Sequence, residues 1–375
     1  MMEVQVNAKV LGKALARVKP GVSRRSNLPI LFHVRITAAG DTLRLDTSNL
    51  DAVKAAATLA CHTSREGSAV VPFKQLLDAV KAAKNADITL RVQTVGHVGD
   101  TDGRLAVRAP HWAITLDTMP TDDFPPMREA SVDSPSVSFN SAAFADTVAR
   151  VQPFCSKDDS RPVLTTVNVN ATSEGSRYAA TDSYRLIVHE ALGARVHGDL
   201  DPNSMVRGSL LKHAAAASKA NKASEVVIAF DTETVSIRIG EVTLSEPRVT
   251  GQFPNVEQLR PDGRETRARI AGVHLADTAK ALAPMIEGKS PLVLDFAQDA
   301  SRAKAGASEA TLDAELDGPD IAIGVNAEFL AAVATALSDG NGSILNLDTT
   351  TAMRAITVSS DTLPDTWALL MPIRI

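Results

Sequence analysis

The sequence predicts an α+β fold made of three look-alike modules, each with two helices on one side of an antiparallel sheet. Three observations carry this. An amphipathic helix pattern recurs at long, nearly constant spacing, a second helix follows it in every copy, and an alternating strand follows each second helix.

The first helix is expected over 7–18, NAKVLGKALARV, where Leu11, Leu15 and Val18 fall on one side of the helix. Lys9, Lys13 and Arg17 gather on roughly the opposite side. The same stripe returns as Phe144, Val148 and Val151 within 139–151, and as Leu275, Ala279 and Leu282 within 270–282. Phe144 stands 133 residues after Leu11, and Leu275 stands 131 after Phe144. Second helices are expected over 71–83, 206–220 and 325–337, followed by the strands ITLRVQ (88–93), VVIAFD (226–231) and ILNLDT (344–349). Between the two helices of a copy lie β-rich runs such as PILFHVRI and PVLTTVNVN, punctuated by the turn signals AAGD and SEGS. The polar, turn-rich segments REASVDSP (128–135) and RPDGRETR (260–267) divide the chain into 1–130, 131–261 and 262–375. The Ala/Ser-rich run AQDASRAKAGASEA (297–310) reads as a flexible hairpin tip.

Composition narrows the function classes. The 375 residues are 44% hydrophobic and 22% charged, ordinary for globular domains. Cys61 and Cys155 lie too far apart for a metal or redox motif and are expected as structural thiols in a reduced, cytoplasmic compartment. No apolar run reaches membrane-span length, and MMEVQVNAKV carries charge where a signal peptide needs an apolar core. Aromatics make up 4% of the chain, which argues against base stacking on single strands as the main activity.

The net charge of −5 argues against nucleic acid, but the distribution argues for it. From Val4 to Gly40 there is no acid, yet Lys9, Lys13, Arg17, Lys19, Arg24, Arg25 and Arg35 occur. From Pro202 to Ser224 acids are again absent, beside Arg207, Lys212, Lys219 and Lys222. Such a chain is expected to be positive on one surface only.

Catalytic motifs fail one by one. SLLK (209–212) has the Ser-x-x-Lys spacing without its companion motifs. APMIEGKS (283–290) has Ala283 where a phosphate loop requires glycine. The eight histidines have no zinc-protease spacing, and Asp122–Asp123 and Asp158–Asp159 sit in turn-like contexts. No catalysis, cofactor or metal is expected.

Four segments carry a family resemblance. SNLPILFHVRI with LRLDTSNLD is similar to a pattern of Leu-Pro-Ile-Leu followed by a Thr-x-Leu-acid turn. DSRPVLTTVNVN leads to ATDSYRL (180–186), similar to Ala-Thr-Asp-x-aromatic/His-Arg-Leu. GQFPNVEQLRP (251–261) resembles a Phe-Pro-x-aromatic-x-x-Leu-x-Pro linker, with Val256 in the aromatic place. LLMPIRI (369–375) resembles a terminal hydrophobic-hydrophobic-Met-Pro-hydrophobic-Arg-hydrophobic strand, in which Pro372 is expected at a sheet edge. In this order across the whole chain they resemble the bacterial sliding clamp family, the β subunit of the replicative DNA polymerase.

The resemblance implies a head-to-tail homodimeric ring around duplex DNA, with helices lining the hole. Arg25 aligns with a DNA-contacting arginine of the family. Lys9, Lys13, Arg17, Lys81, Arg207, Lys212 and Lys219 are phosphate-contact candidates by helix position. The resemblance also implies a hydrophobic pocket for short Leu- and Phe-bearing peptides of polymerases, the clamp loader and repair proteins. Carried over, that pocket holds Leu164, Thr181, Tyr184, Arg185, Leu186, Pro254, Leu259, Asn326, Phe329, Met353, Met371, Pro372, Ile373, Arg374 and Ile375. Ile114 and Leu116 of HWAITL align with the dimer strand, with Met285 and Ile286 expected on the opposite side. A specialised clamp serving a mobile element or antibiotic resistance is the alternative, its retuning expected at Tyr184 and Gln258.

Overall fold

The computed structural model describes residues 2–50, 52–94, 103–172, 175–191, 193–288, 290–340 and 342–375. The chain forms two compact units, Met1–Ser141 with His213–Arg248, and Ala142–Lys212 with Val249–Ile375.

In the first unit, α1 (Ala8–Val18) starts at Asn7, whose side chain accepts the Lys9 N–H, and buries Ala8, Leu11, Ala14, Leu15 and Val18. Pro20 lies in the 3₁₀ turn that follows. Helix α2 (Phe73–Ala82) buries Phe73, Leu76, Ala79 and Val80 and packs on α1, with Val80 beside Gly12. One sheet runs His62–Arg65, Glu3–Asn7, Asp87–Thr94, Gly103–Ala109, Trp112–Asp117. In a second sheet Ser136–Asn140, Glu225–Phe230, Thr234–Ile239 and Val242–Pro247 continue into Lys54–Ala60, Thr42–Ser48, His33–Ala39 and Gly67–Pro72. The joint is the antiparallel pairing of Val242–Pro247 with Lys54–Ala60, Leu244 opposite Ala55.

The second unit repeats this joint. The strands Met205–Arg207, Thr166–Ala171, Ser176–Thr181 and Arg185–Ala191 continue into Thr366–Leu370, Ile356–Ser360, Ile344–Thr349, Thr266–Ala271 and Ala314–Asp317. A four-stranded sheet runs Ser308–Leu312, Ser301–Ala305, Leu292–Phe296, Ile321–Val325. Helix α3 (Ser141–Val151) buries the expected Phe144, Val148 and Val151. The boundary between the units falls within α4 (Gly208–Asn221). Helices α5 (Gly272–Leu282) and α6 (Ala327–Ala336) pack on each other.

Three local expectations change. The β-rich runs at 29 and 162 open as 3₁₀ turns, Pro29–Phe32 and Pro162–Thr165, because each begins with a proline that sets φ for a turn. The run 297–310 is largely a regular hairpin, with Ser301, Ala303 and Ala305 buried and Gly306 turning at φ 59°. Its period-2 signal is carried by alanine and serine, which a hydrophobic alternation search passes over. The strand expected to include Pro372 ends at Leu370 and is interior, paired on both sides. Of the SEGS turn, Ser173 and Glu174 lie outside the described residues, as does Lys289 of the phosphate-loop-like run.

Candidate functional site

Helix α1 sets Lys9, Lys13 and Arg17 one turn apart, opposite its buried stripe; both lysines are exposed and Arg17 is half-buried. Exposed Lys81 stands in the last turn of α2, and exposed Arg25 in the loop after α1. Lys212 and Lys219 are exposed on α4, and half-buried Arg207 has Nη1 3.4 Å from Thr165 Oγ1. Among the described residues no ion pair engages Lys9, Lys13, Arg17, Arg25, Lys81, Lys212 or Lys219.

The free cations of α1 are not repeated on every helix. On α3 Arg150 is buried and paired with Asp146 at 2.8 Å. On α5 Lys280 lies 3.7 Å from Asp277, and α6 carries Glu328 and no lysine or arginine. Among the described residues, the unpaired cations carried on helices lie on α1, α2 and α4.

A second site forms where Arg185–Ala191 pairs with Thr366–Leu370, Arg185 opposite Leu370 and Leu186 opposite Leu369. This register brings the ATDSYRL turn and the chain after Leu370 to one end of the sheet. The turn is built by Asp182 and Thr181. Asp182 Oδ1 accepts the N–H groups of Tyr184 and Arg185, both at 3.0 Å. Thr181 Oγ1 donates to the Arg185 carbonyl at 2.8 Å and accepts the Ser183 N–H at 3.1 Å. Ser183 takes φ 79°, a left-handed conformation without glycine, and Tyr184 projects outward, 59% exposed.

The last residues fasten onto this turn. The Met371 N–H donates to the Tyr184 carbonyl at 2.9 Å, and the Ile373 N–H donates to the Gly324 carbonyl at 2.7 Å. Pro372 sits between these donors, where its missing N–H leaves the ladder intact. Gly324 is required here, because a Cβ would lie 2.4 Å from the Ile373 carbonyl oxygen.

One wall is aromatic. The rings of Tyr184 and Phe329 stack at 6.2 Å, with the Arg185 guanidinium 4.4 Å above Phe329 and 5.1 Å above Phe154. Arg185 Nε donates to Asp182 at 3.0 Å, and Asn326 caps α6 by accepting the Phe329 N–H at 3.0 Å. Leu186 of this turn also belongs to a buried cluster with Ala179, Val188, Val256, Trp367 and Leu369, with Phe253 packed against it.

The expected pocket residues thus divide. Hydrogen bonds, register and stacking join Thr181, Tyr184, Arg185, Leu186, Asn326, Phe329, Met371 and Ile373. Pro254 and Leu259 are exposed beside the clustered Val256, to whose carbonyl the Leu259 N–H donates at 3.2 Å. Leu164 is half-buried and its carbonyl accepts the Ser156 N–H. Met353 stands in a separate turn, its N–H on Thr351 Oγ1. Met353, Met371 and Ile375 are exposed apolar groups, and Arg374 is also exposed. Asp182 and Gly324 were missing from the expected set. Asp182 lay inside the quoted motif, whereas Gly324 had no local signal.

Beside the groove lies a cavity of about 850 Å³ lined by Lys157, Arg161, Asp182, Tyr184, Arg185, Arg207, Lys212, Glu328 and Phe329, among others. It shares Tyr184, Arg185 and Phe329 with the groove, and Arg207 and Lys212 with the cationic set. Cys155 also borders it, and burial pushes this thiol up to about 12, so it is inert at neutral pH.

The model of the DNA polymerase III beta subunit N-terminal domain matches residues 2–128, and that of the central domain matches 138–255. The chain belongs to the DNA polymerase III β subunit family, the bacterial sliding clamps. Members of this clamp family are processivity factors rather than catalysts, and they tether polymerase to DNA. The chain is 26% identical over 368 residues to the beta sliding clamp homolog GriR of Streptomyces muensis, covering 96% of this chain and 92% of that one. It is 26% identical over 394 residues to the beta sliding clamp of Streptomyces coelicolor, covering both chains fully. The fold matches a DnaN sliding clamp from Pseudomonas aeruginosa bound to griselimycin, with TM-score 0.85, 22% identity and full coverage of both chains. It also matches a putative β subunit from Eubacterium rectale, with TM-score 0.87, 14% identity, and 100% and 99% coverage. No helix among the described residues is long and apolar enough to cross a membrane.

Proposed function

We propose that this chain acts as a homodimeric sliding clamp: three modules, 1–130, 131–261 and 262–375, doubled into a closed ring around duplex DNA. The carrying observation is the unpaired row Lys9, Lys13 and Arg17 on α1, backed by Lys81 and Lys219. Duplex DNA presents one phosphate charge per ~1.7 Å of axis, and phosphate contacts hold no sequence information. Lysines without protein partners meet that charge at any register and release it again. Retention then comes from closure of the ring, not from the strength of any contact.

The dimer contact joins the edge strand Trp112–Asp117 of one chain to the third module of the other near Met285 and Ile286. Ile114 is half-buried there, whereas Leu116 is already covered within its own unit, so its position contributes through the strand edge. Met285 is exposed and free to be covered.

The groove beside Tyr184 takes short peptides from the replicative polymerase subunit, the clamp loader and other polymerases and repair proteins. Two buried anchors supply ~1.5–3 kcal/mol each, less the cost of ordering the peptide. Micromolar binding needs about −8 kcal/mol, so hydrogen bonds must add to the anchors, and affinities stay low enough for partners to exchange. A specialised clamp is the second reading; its retuned peptide preference would be set at Tyr184, whose ring stacks on Phe329, and at exposed Gln258.

The deciding experiment is topological. The protein is loaded on nicked circular plasmid and the DNA is then linearised. Release on linearisation, with retention on the circle, supports encirclement; equal retention on both forms overturns it. For the groove, removal of residues 371–375 is expected to abolish peptide binding in a fluorescence-polarisation titration while the dimer mass is kept. An unchanged affinity overturns the groove assignment.

A further inference from the structure

We propose that Arg150 is a positioning residue for the peptide groove, acting through α6; the proposal rests on the groove reading above. Periodicity sets Arg150 beside the buried stripe of α3, where a solvated cation is the ordinary outcome. Instead its side chain is 8% exposed. Its Nη1 donates to the Ala336 carbonyl at 2.7 Å and to the Ser338 carbonyl at 3.3 Å. Ala336 is the last residue of α6 and Ser338 lies just past its cap, at the end where the helix carbonyls have no partner within the helix and the dipole favours a cation. Asp146 at 2.8 Å and Asp339 at 3.7 Å balance the charge, and buried His189 lies within its field.

The other end of α6 is the groove wall. Asn326 caps the helix there, and Phe329 in its first turn stacks on Tyr184 and carries the Arg185 guanidinium. With ten residues α6 is about 15 Å long, so the cap and Arg150 grip its opposite ends. An apolar side chain of similar length would fill the same space without desolvating a charge. What the arginine adds is direction: it selects the one tilt of α6 that satisfies two carbonyls. That tilt sets where the Phe329 ring stands.

The test measures the Kd of a fluorescent peptide bearing Leu and Phe anchors for the full chain and its Arg150→Met, Arg150→Lys, Phe329→Ala and Arg150→Met/Phe329→Ala variants. Arg150→Met is expected to weaken binding about tenfold with retention on circular DNA unchanged, and Arg150→Lys to restore most of it. In the Phe329→Ala background, Arg150→Met is expected to add no further loss, which a general loss of stability would not produce. A wild-type Kd in Arg150→Met, or losses that add in the double variant, overturns the proposal alone. Failure of the unaltered chain to bind peptide overturns the groove reading and this proposal with it. Should Arg150→Met not fold, Arg150→Gln replaces it: weaker binding than Arg150→Lys supports the proposal, and equal binding overturns it.

Discussion

The cations on the helices and the cations on the strands share a chemistry but not a situation. On the strands, Asp46, 1% exposed, receives Arg35 at 2.9 Å and Arg44 at 2.8 Å. Arg267 grips Asp348 with two bonds of 2.6 and 2.7 Å, and Arg269 reaches Glu315 and Asp361. On α1, Lys9, Lys13 and Arg17 meet no carboxylate among the described residues. A guanidinium locked on a carboxylate is neutralised and held in place; an unpaired ammonium keeps its charge for a phosphate. The difference teaches that a net charge of −5 does not by itself oppose DNA binding here, because Arg35, Arg44, Arg267 and Arg269 are neutralised where they stand, whereas the cations named on α1, α2 and α4 keep their charge for an outside anion.

The largest expected effect breaks the helix side of this comparison. Replacing Lys9, Lys13 and Arg17 together by Gln should lower the salt slope of duplex binding by about 3 for each protomer of the ring and weaken binding by at least roughly a hundredfold near 0.15 M salt. The unfolding midpoint should barely move. A lowered midpoint with an unchanged slope would assign these residues to stability.

Next comes the strand side. Arg35→Met leaves Asp46, almost without solvent, to Arg44 alone, and should cost about 2 kcal/mol in urea unfolding with plasmid retention intact. Loss of DNA retention at full stability would erase the distinction.

A comparable or smaller effect lies near buried Arg150 and its exposed partner Asp146. His189 donates or accepts at 2.8 Å with Thr366 Oγ1, and burial, aided by the Arg150 charge, lowers its pKa to about 4. The unfolded chain takes up that proton as pH falls through about 6.5, while the folded chain resists until about 4. Stability is therefore whole above the unfolded value and declines between the two, by on the order of 2 kcal/mol. His189→Gln should flatten this stretch of the urea midpoint against pH; an unchanged slope would locate the acid sensitivity elsewhere.

The smallest effect is expected from Lys280→Ala on α5. Its pair with Asp277 at 3.7 Å is exposed, so stability should move by less than ~0.5 kcal/mol and DNA retention not at all. A marked loss of retention would extend the DNA-contacting set to α5.

Local physics explains what was legible. Leu11, Leu15 and Val18 are buried as their spacing requires, and ILNLDT is a strand over its whole expected length. The ATDSYRL segment was legible only as a family resemblance, although the turn it forms is local, its hydrogen bonds closing within five residues from Thr181 to Arg185. The run at 301–312 was read as a flexible hairpin tip rather than two regular strands because most of its inward residues are alanine and serine, whose burial depends on what covers them. Pro372 was expected at a sheet edge; the strand before it proved interior because its two neighbours arrive from 185–189 and 356–359.

By itself the sequence determined the helices, the strand that follows each second helix and the rows of cations, because these follow from periodicities of two and 3.6 residues. Tertiary structure alone decided which cations are spent on carboxylates and which stay free. It also decided that Arg150, 186 residues before Ala336, closes the end of the helix that carries Phe329. Such pairings depend on which distant segments the sheets bring side by side, and no local pattern encodes that.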